Sequence, residues 1–293
     1  MLSETEYQNL RKTYHGEGKY IYCIIPMHSS EPLSFGPIGI GGRGDELYTI
    51  SYKPEGGGLA SNRTEERGLP SVRQSHSQSH KTIAAVVSNS PIKKYPVARE
   101  NVIPHERAIE EAMKAYTILP VRFATIAENE EKVKMILEKN YDKFLDLLKN
   151  MEGKIELGLK AIFEENVYSY ILGKYKEIKV LKEKLQGLPV EKTHYQRMEI
   201  GKMVESALEK ERKICKEDIL NVLSPLAIKT KINSSYGERM IINAAFLVEK
   251  NKEEEFDGKI QEIWVKYGDK VKIKYVGMLP PFNFVNLVID TSI

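Results

Sequence analysis

From residue 154 onward the apolar residues change period in a fixed order, and that order leaves few folds open. In KIELGLKAIF (154–163), Ile155, Leu157, Leu159 and Ala161 alternate with Lys154, Glu156, Gly158 and Lys160, the period of a strand. Two long charged segments follow, joined at GLPV (187–190). In the first, Ile171, Tyr175, Ile178, Leu181, Leu185 and Leu188 recur at steps of three and four. In the second, about 191–223, Met198, Val204, Leu208, Cys215 and Ile219 take the inward positions. Helices this polar elsewhere pair as a hairpin and project from the body. Three strand-like pieces remain, SPLAIKTKIN (224–233), RMIINAAFLV (239–248) and KVKIKYVGM (270–278). Between the last two lies a helix with Phe256, Ile260, Ile263, Trp264 and Tyr267 on one face, Asn251 placed to cap its start and Gly268 to end it. Strand, helices, strand, strand, helix, strand is the split βαββαβ order of a ferredoxin-like sheet with helices on one face.

The first half is a less regular version of the same scheme. YIYCII (20–25) is apolar throughout, as in a strand buried on both faces, and ELYTISY (46–52), TIAAVVS (82–88) and ILPVRFATI (118–126) supply further strands. RENVIPHERAIEEAMKAY (99–116) places Val102, Ile109, Ala112, Met113 and Tyr116 on one helical face, with Pro104 in the first turn and Asn101 as a cap. NEEKVKMILEKNYDKFLDLLKNM (129–151) keeps the helical period through Val133, Ile136, Leu137, Tyr141, Phe144, Leu147 and Leu148. The tract at 54–81 is built from Gly, Ser, Arg, Gln and His, cannot offset its ordering entropy, and is expected to be a disordered insertion in which His76 and His80 are solvated. The expected architecture is α+β, with two tandem ferredoxin-like domains of which the N-terminal one is modified. A polar arm covers 1–19, the first domain 20–152, and the second 153–279 with a helical hairpin at about 164–223; an apolar tail covers 280–293.

Composition narrows the function classes. Lys and Arg number 44 against 41 Asp and Glu, so the basic excess of a duplex-binding protein is missing and no nucleic-acid partner is expected. The two cysteines, Cys23 and Cys215, lie far apart in apolar or helical patterns, which suits buried thiols in a reducing compartment. There is no apolar run long enough to span a membrane and no signal-peptide core, so a soluble, cytoplasmic protein without a membrane partner is expected. GPIGIGGRGDELYTISY (36–52) contains the glycine spacing of a dinucleotide-binding turn at Gly39, Gly41 and Gly44. That fingerprint needs a strand directly before it and a helix directly after. Here the preceding apolar run ends at Ile25 and the following segment has the period of a strand, so the glycines are read as letting a turn approach the sheet. Arg43-Gly44-Asp45 is read as part of the same loop.

The densest polar cluster is Arg99, Glu100, Asn101, His105, Glu106 and Arg107, with Arg122 in the following strand. An enzyme could use His105 as a base oriented by Glu106 or Glu100. HERAIEE is not a zinc motif, because Ile109 stands where the second histidine would be. The favoured reading is a structural network in which Arg122, partly buried, meets a carboxylate such as Glu106, with Arg99, Glu100 and His105 around them. No catalytic residue, metal site or cofactor is expected. At the end of the chain Pro280 and Pro281 stop the last strand, and Phe282, Phe284, Val285, Leu287, Val288 and Ile289 form an apolar tail. Such a tail either folds back over its own domain's core or adds to a partner.

YIYCII, TIAAVVS, RENVIPHERAIEEAMKAYTILPVRFATIA (99–127), KIELGLKAIF, ERMIINAAFLV and YVGMLPPFNFVNL together resemble, in order, the blocks of the GvpL/GvpF family of gas vesicle proteins. The resemblance runs from residue 20 to 288 apart from the tract at 54–81. It implies a modified ferredoxin-like domain followed by a ferredoxin-like one. It also implies an accessory or minor structural role in gas vesicle assembly, binding the small hydrophobic GvpA-type shell subunit or other accessory proteins, with no reaction and no cofactor. Two other readings stand beside it, a ferredoxin-like module holding a small ligand between its domains and an enzyme built on His105 and Glu106.

Overall fold

The structure, a computed structural model, describes residues 15–54 and 81–291. Most of the N-terminal arm and of the expected insertion, including His76 and His80, lies outside the described residues. The chain divides into two compact units, Met1–Glu152 with Pro280–Ile293, and Gly153–Leu279.

The first unit is built on an antiparallel sheet in the order β2 (Ser34–Gly36), β3 (Leu47–Tyr52), β4 (Thr82–Ile92), β1 (His15–Met27), β5 (Leu119–Pro120), with β6 (Ile126–Ala127) also paired to β1. Every residue from Tyr20 to Ile25 is fully buried, which is why this stretch carries no polar alternation. On one face Tyr20, Tyr22 and Ile25 pack against Ala108, Ile109 and Ala112 of α1 (Arg99–Met113). The other face is covered by α2 (Glu130–Lys139) and α3 (Tyr141–Met151), whose Val133, Ile136, Leu137, Phe144 and Leu148 are buried.

Three local expectations are corrected here. The stretch 118–126 is not one strand: two two-residue strands flank an irregular turn in which Ala124 has φ +62° and Arg122 is exposed. Its backbone is satisfied instead by strand β1, through Val121 N–H to Tyr22 O and Ile21 N–H to Thr125 O, each 2.9 Å. Helix α1 begins at Arg99, so Pro104 lies inside it, and the Asn101 side chain donates to Pro96 O at 3.1 Å rather than capping. The helix expected over 129–151 breaks at Asn140, whose side chain donates back to Ile136 O at 2.9 Å and closes α2.

The glycine-rich loop does approach the sheet closely. Gly39 N–H donates to Asp45 O at 2.9 Å, and a β-carbon at Gly39 would stand 2.8 Å from both Asp45 O and Ser88 Oγ. Gly41 and Gly44 have φ of +91° and +73°, where a side chain would be strained, and the element that follows is strand β3.

The second unit has the sheet order β10 (Val271–Leu279), β7 (Lys154–Phe163), β9 (Met240–Glu249), β8 (Lys229–Ile232), antiparallel throughout. Each helical crossover therefore joins two strands of like direction with one opposed strand between them. Leu157, Leu159, Ala161 and Phe163 of β7 and Ile242, Ala244, Phe246 and Val248 of β9 face one core with Cys215, Ile219 and Leu223 of α6 (His194–Leu223) and Phe256, Ile260 and Ile263 of α7 (Glu253–Tyr267). The first limb of the hairpin is broken at Tyr175 into α4 (Val167–Lys174) and α5 (Lys176–Lys184), and Ile171, Ile178 and Ala207 bury together against α6. Met198 and Trp264, expected inward, are 49% and 55% exposed, and Lys252 rather than Asn251 precedes α7, without a side-chain cap.

Two carboxylates on α6, seven residues apart and so on nearly one face, fasten its neighbours. Glu211 accepts from Lys174 Nζ at 2.6 Å, Tyr175 Oη at 2.8 Å and Tyr170 Oη at 3.1 Å; Asp218 accepts from Lys266 Nζ at 2.6 Å and Tyr267 Oη at 2.9 Å. Burial pushes the Glu211 carboxyl up, but the bonds from Lys174 and Tyr175 outweigh it and hold the group below its usual 4.5. The stabilisation is complete above that value and is lost as pH falls through the lower folded one. Glu211→Ala, which strands two tyrosine hydroxyls and half-exposed Lys174, should cost about 1–3 kcal/mol in urea unfolding. Limited proteolysis should then cut first within residues 167–192; an unchanged cleavage pattern would show that Glu211 does not fasten the hairpin.

Candidate functional site

The sequence-predicted cluster around residue 105 and the C-terminal tail meet in the first unit. Helix α1 turns His105, Ala108, Ile109 and Ala112 inward, three and four residues apart, and this phase leaves Arg99, Glu100, Glu106 and Arg107 on the solvent side. Among the described residues no ion pair or hydrogen bond joins Arg99, Glu100, Glu106 and Arg122, so the expected Arg122–Glu106 network does not form: both side chains are exposed and have water instead. Burial and neighbouring Glu110 raise the Glu106 carboxyl above its usual value, the opposite of what an arginine partner would do.

His105 alone goes inside, 2% exposed. Its ring lies among those of Tyr20, Tyr22, Phe123 and, from the tail, Phe282, with centroids 5.7, 5.8, 5.4 and 6.4 Å away. Tyr20 Oη accepts the Ala124 amide at 2.8 Å, which leaves its one proton for His105 Nδ1 at 3.1 Å. The imidazole proton then sits on Nε2, a buried atom with no hydrogen-bond partner. Burial disfavours the charged form and takes His105 down to about 4. A neutral, enclosed imidazole of this kind is a packing element, hydrogen-bonded to the Tyr20 hydroxyl. Cys23 and Cys215 are both buried free thiols, and burial raises each, Cys215 to about 12.

The tail completes the enclosure. Pro280 and Pro281 are buried, a turn closes through Phe282 N–H to Pro280 O (2.7 Å) and Val285 N–H to Pro281 O (2.8 Å), and Val285 and Leu287 are 4% and 3% exposed. Leu287 forms a parallel bridge with Val121, at the β5 side of the first sheet. The tail thus folds onto the first unit and not over the core of the domain it leaves, and its apolar residues divide: Val285 and Leu287 inward, Phe282 (42%) and Val288 (60%) outward, Phe284 half-buried. Sequence reasoning singled out His105, Pro280, Pro281, Phe282 and Phe284 but read Tyr20, Tyr22 and Phe123 only as strand residues, and it missed the assembly. The available signal was the pairing of an aromatic-rich strand, Tyr20 and Tyr22, with an aromatic-rich tail. Among the described residues there is no group of three or more potential metal ligands, and no helix is long and apolar enough to cross a membrane.

The lowered His105 sets a pH window. Between about 6.5 and about 4 the unfolded chain holds a proton that the folded chain does not, so stability falls with acidification across that range. The contribution is about 3 kcal/mol. His105→Phe, which keeps the aromatic packing, should flatten this part of the stability profile measured by urea titration from pH 7 to pH 4 (roughly the titration window itself). Parallel profiles for the two proteins would mean that His105 is not buried neutral.

The profile of the family described as "Gas vesicle synthesis protein GvpL/GvpF" matches residues 18–286, which takes in both units and the first half of the docked tail. Gas vesicle protein F of Dolichospermum flosaquae is 25% identical over 216 residues, 72% of this chain and 87% of its own. Gas vesicle protein L1 of Halobacterium salinarum is 21% identical over 280 residues, 91% of this chain and 90% of its own. The crystal structure of the gas vesicle protein GvpF from Anabaena sp. PCC7120 has the same fold, with a TM-score of 0.67 and 22% identity over 93% of this chain and 100% of that one. A family profile that runs from strand β1 into the tail leaves no domain of the chain unaccounted for, and the chain belongs to the GvpL/GvpF family of gas vesicle synthesis proteins.

Proposed function

We propose that this chain, working in the cytoplasm and associated with gas vesicles, is an accessory or minor structural protein that binds the hydrophobic GvpA-type shell subunit or other gas vesicle accessory proteins. Family membership supports the gas vesicle role. The observation that carries the binding step is the tail, an apolar segment that meets a sheet edge at the Val121–Leu287 bridge, with Phe282 and Val288 still open to solvent. A sheet edge covered by an apolar strap suits a protein that takes up an apolar client by strand addition or by covering its surface. The reading needs no chemical step and no cofactor. In the same reading the second unit, with its strand order β10-β7-β9-β8, is a ferredoxin-like domain and the first a modified one.

Co-expression with the shell subunit, followed by native capture at moderate salt beside an unrelated apolar protein, tests the proposal. Selective capture is expected, and Phe282→Ser with Val288→Ser, both at exposed positions, should weaken it about tenfold while folding is kept. Removal of residues 280–293 is the harsher variant, because it also uncovers the edge beside Val121. Folded protein that captures no subunit would shift the proposal to the other accessory proteins; capture unaffected by the paired substitution would remove the tail from it.

A further inference from the structure

The face of the second sheet turned away from α6 and α7 carries a separate observation. Across the β7–β10 ladder Lys160 stands directly opposite Lys274, and Lys272 is opposite Ile162. Their neighbours Leu159, Ala161, Ile273 and Tyr275 turn to the core, so by strand alternation the three lysines share the outer face. Asn243 is opposite Lys160 on the other side of β7, and Lys231 enters the same face from β8, opposite Ala245. Lys160, Lys231, Lys272 and Lys274 are all exposed. Among the described residues no carboxylate lies within ion-pair distance of Lys160, Lys272 or Lys274. Glu164, Glu165 and Asp269 stand around a cleft of about 670 Å³ that Lys272, Lys274 and Arg239 also line, and Glu165 is already 3.9 Å from Arg239; Glu156, on the same face of β7 as Lys160, is buried.

Like charges directly opposite each other across a ladder destabilise a sheet, and among the described residues no ion pair offsets the Lys160–Lys274 pair. We infer that this face is a docking surface for an acidic protein segment. Charge complementarity sets the occupant, and spacing fits it. Opposed positions lie about 5 Å apart and alternate positions on one strand about 6.6–7 Å. Carboxylates three or four residues apart on a helix have β-carbons about 5–6 Å apart, so a helix with glutamates at those intervals meets the lysines in register. Single-stranded RNA would need aromatic side chains to stack its bases, and the outward residues here, Lys160, Ile162, Asn243, Lys272 and Lys274, include none. The inference does not rest on the gas vesicle reading, and failure of shell-subunit capture would leave it standing.

The full chain is titrated by fluorescence anisotropy with labelled poly-L-glutamate, polyuridylate RNA and phosphatidylserine vesicles. Lys160→Gln, Lys272→Gln and Lys274→Gln are combined in one variant, and Lys179→Gln, Lys202→Gln and Lys210→Gln, exposed on the hairpin, in a control with the same net charge. Polyglutamate should bind, weaken about tenfold in the sheet variant, and hold within about twofold in the control. Equal losses in both variants, or binding of RNA or vesicles but not of polyglutamate, would overturn the inference. A second readout needs no probe: Lys160→Glu makes the opposed pair attractive and should raise the melting temperature by about 1–2 °C. An unchanged or lower melting temperature would mean that the lysines do not repel, and the argument from unrelieved charge would fall with it.

Discussion

The hydroxyl of Tyr20 accepts the amide of Ala124 and donates to His105, and two residues along the same strand the hydroxyl of Tyr22 accepts the amide of Ile40 at 2.7 Å and meets Ser88 Oγ at 2.8 Å. Three pieces of irregular or distant chain converge on these two oxygens: the glycine-rich loop, helix α1, and the turn at 121–126. Each would otherwise bury a polar group without a partner, at about 1–3 kcal/mol apiece. Strand β1 can serve in this way because it is central, paired to β4 along most of its length and to β5 and β6 on its other side. The tail then rests on the turn that Tyr20 holds in place. The surface that receives Leu287 is therefore a consequence of one phenol buried on a neighbouring strand.

This dependence explains which parts of the fold could be read from sequence. Strands β7 and β10 announce themselves through alternation that survives in the residue order, whereas β9, buried at seven of its ten residues, reads as a continuous apolar run. The βαββαβ order followed from that. The turn at 121–126 has no such trace, since the partner of its Ala124 amide is a hydroxyl 104 residues away. Pro104 misplaced the start of α1 because the local rule for proline competes with a cap at Ala98 that makes no side-chain bond. Met198 and Trp264 keep the helical period yet lie outward: periodicity identifies a stripe, and the width of the element covering it decides how much of that stripe is buried.

The candidate site was legible as residue types and not as contacts. His105, Phe282 and Phe284 were singled out, but a histidine beside Glu106 in sequence points 100° away from it on the helix, toward aromatic rings that come from three other parts of the chain. The two units also differ in the chemistry they present. The first is closed by an apolar strap with two hydrophobic side chains facing out, whereas the second shows exposed lysines on the outward positions of β7 and β10.

Because the first unit consists of Met1–Glu152 and Pro280–Ile293, the second unit is spliced into it as an insert. On the ribosome this reverses the usual N-to-C order of completion. Gly153–Leu279 is made before the segment that borders Val121, so the nascent first unit waits with that contact unmade until residues 280–287 follow. Until then the Val121 side of the sheet is open to whatever apolar strand is nearby, and residues 280–287 arrive as a late competitor for it.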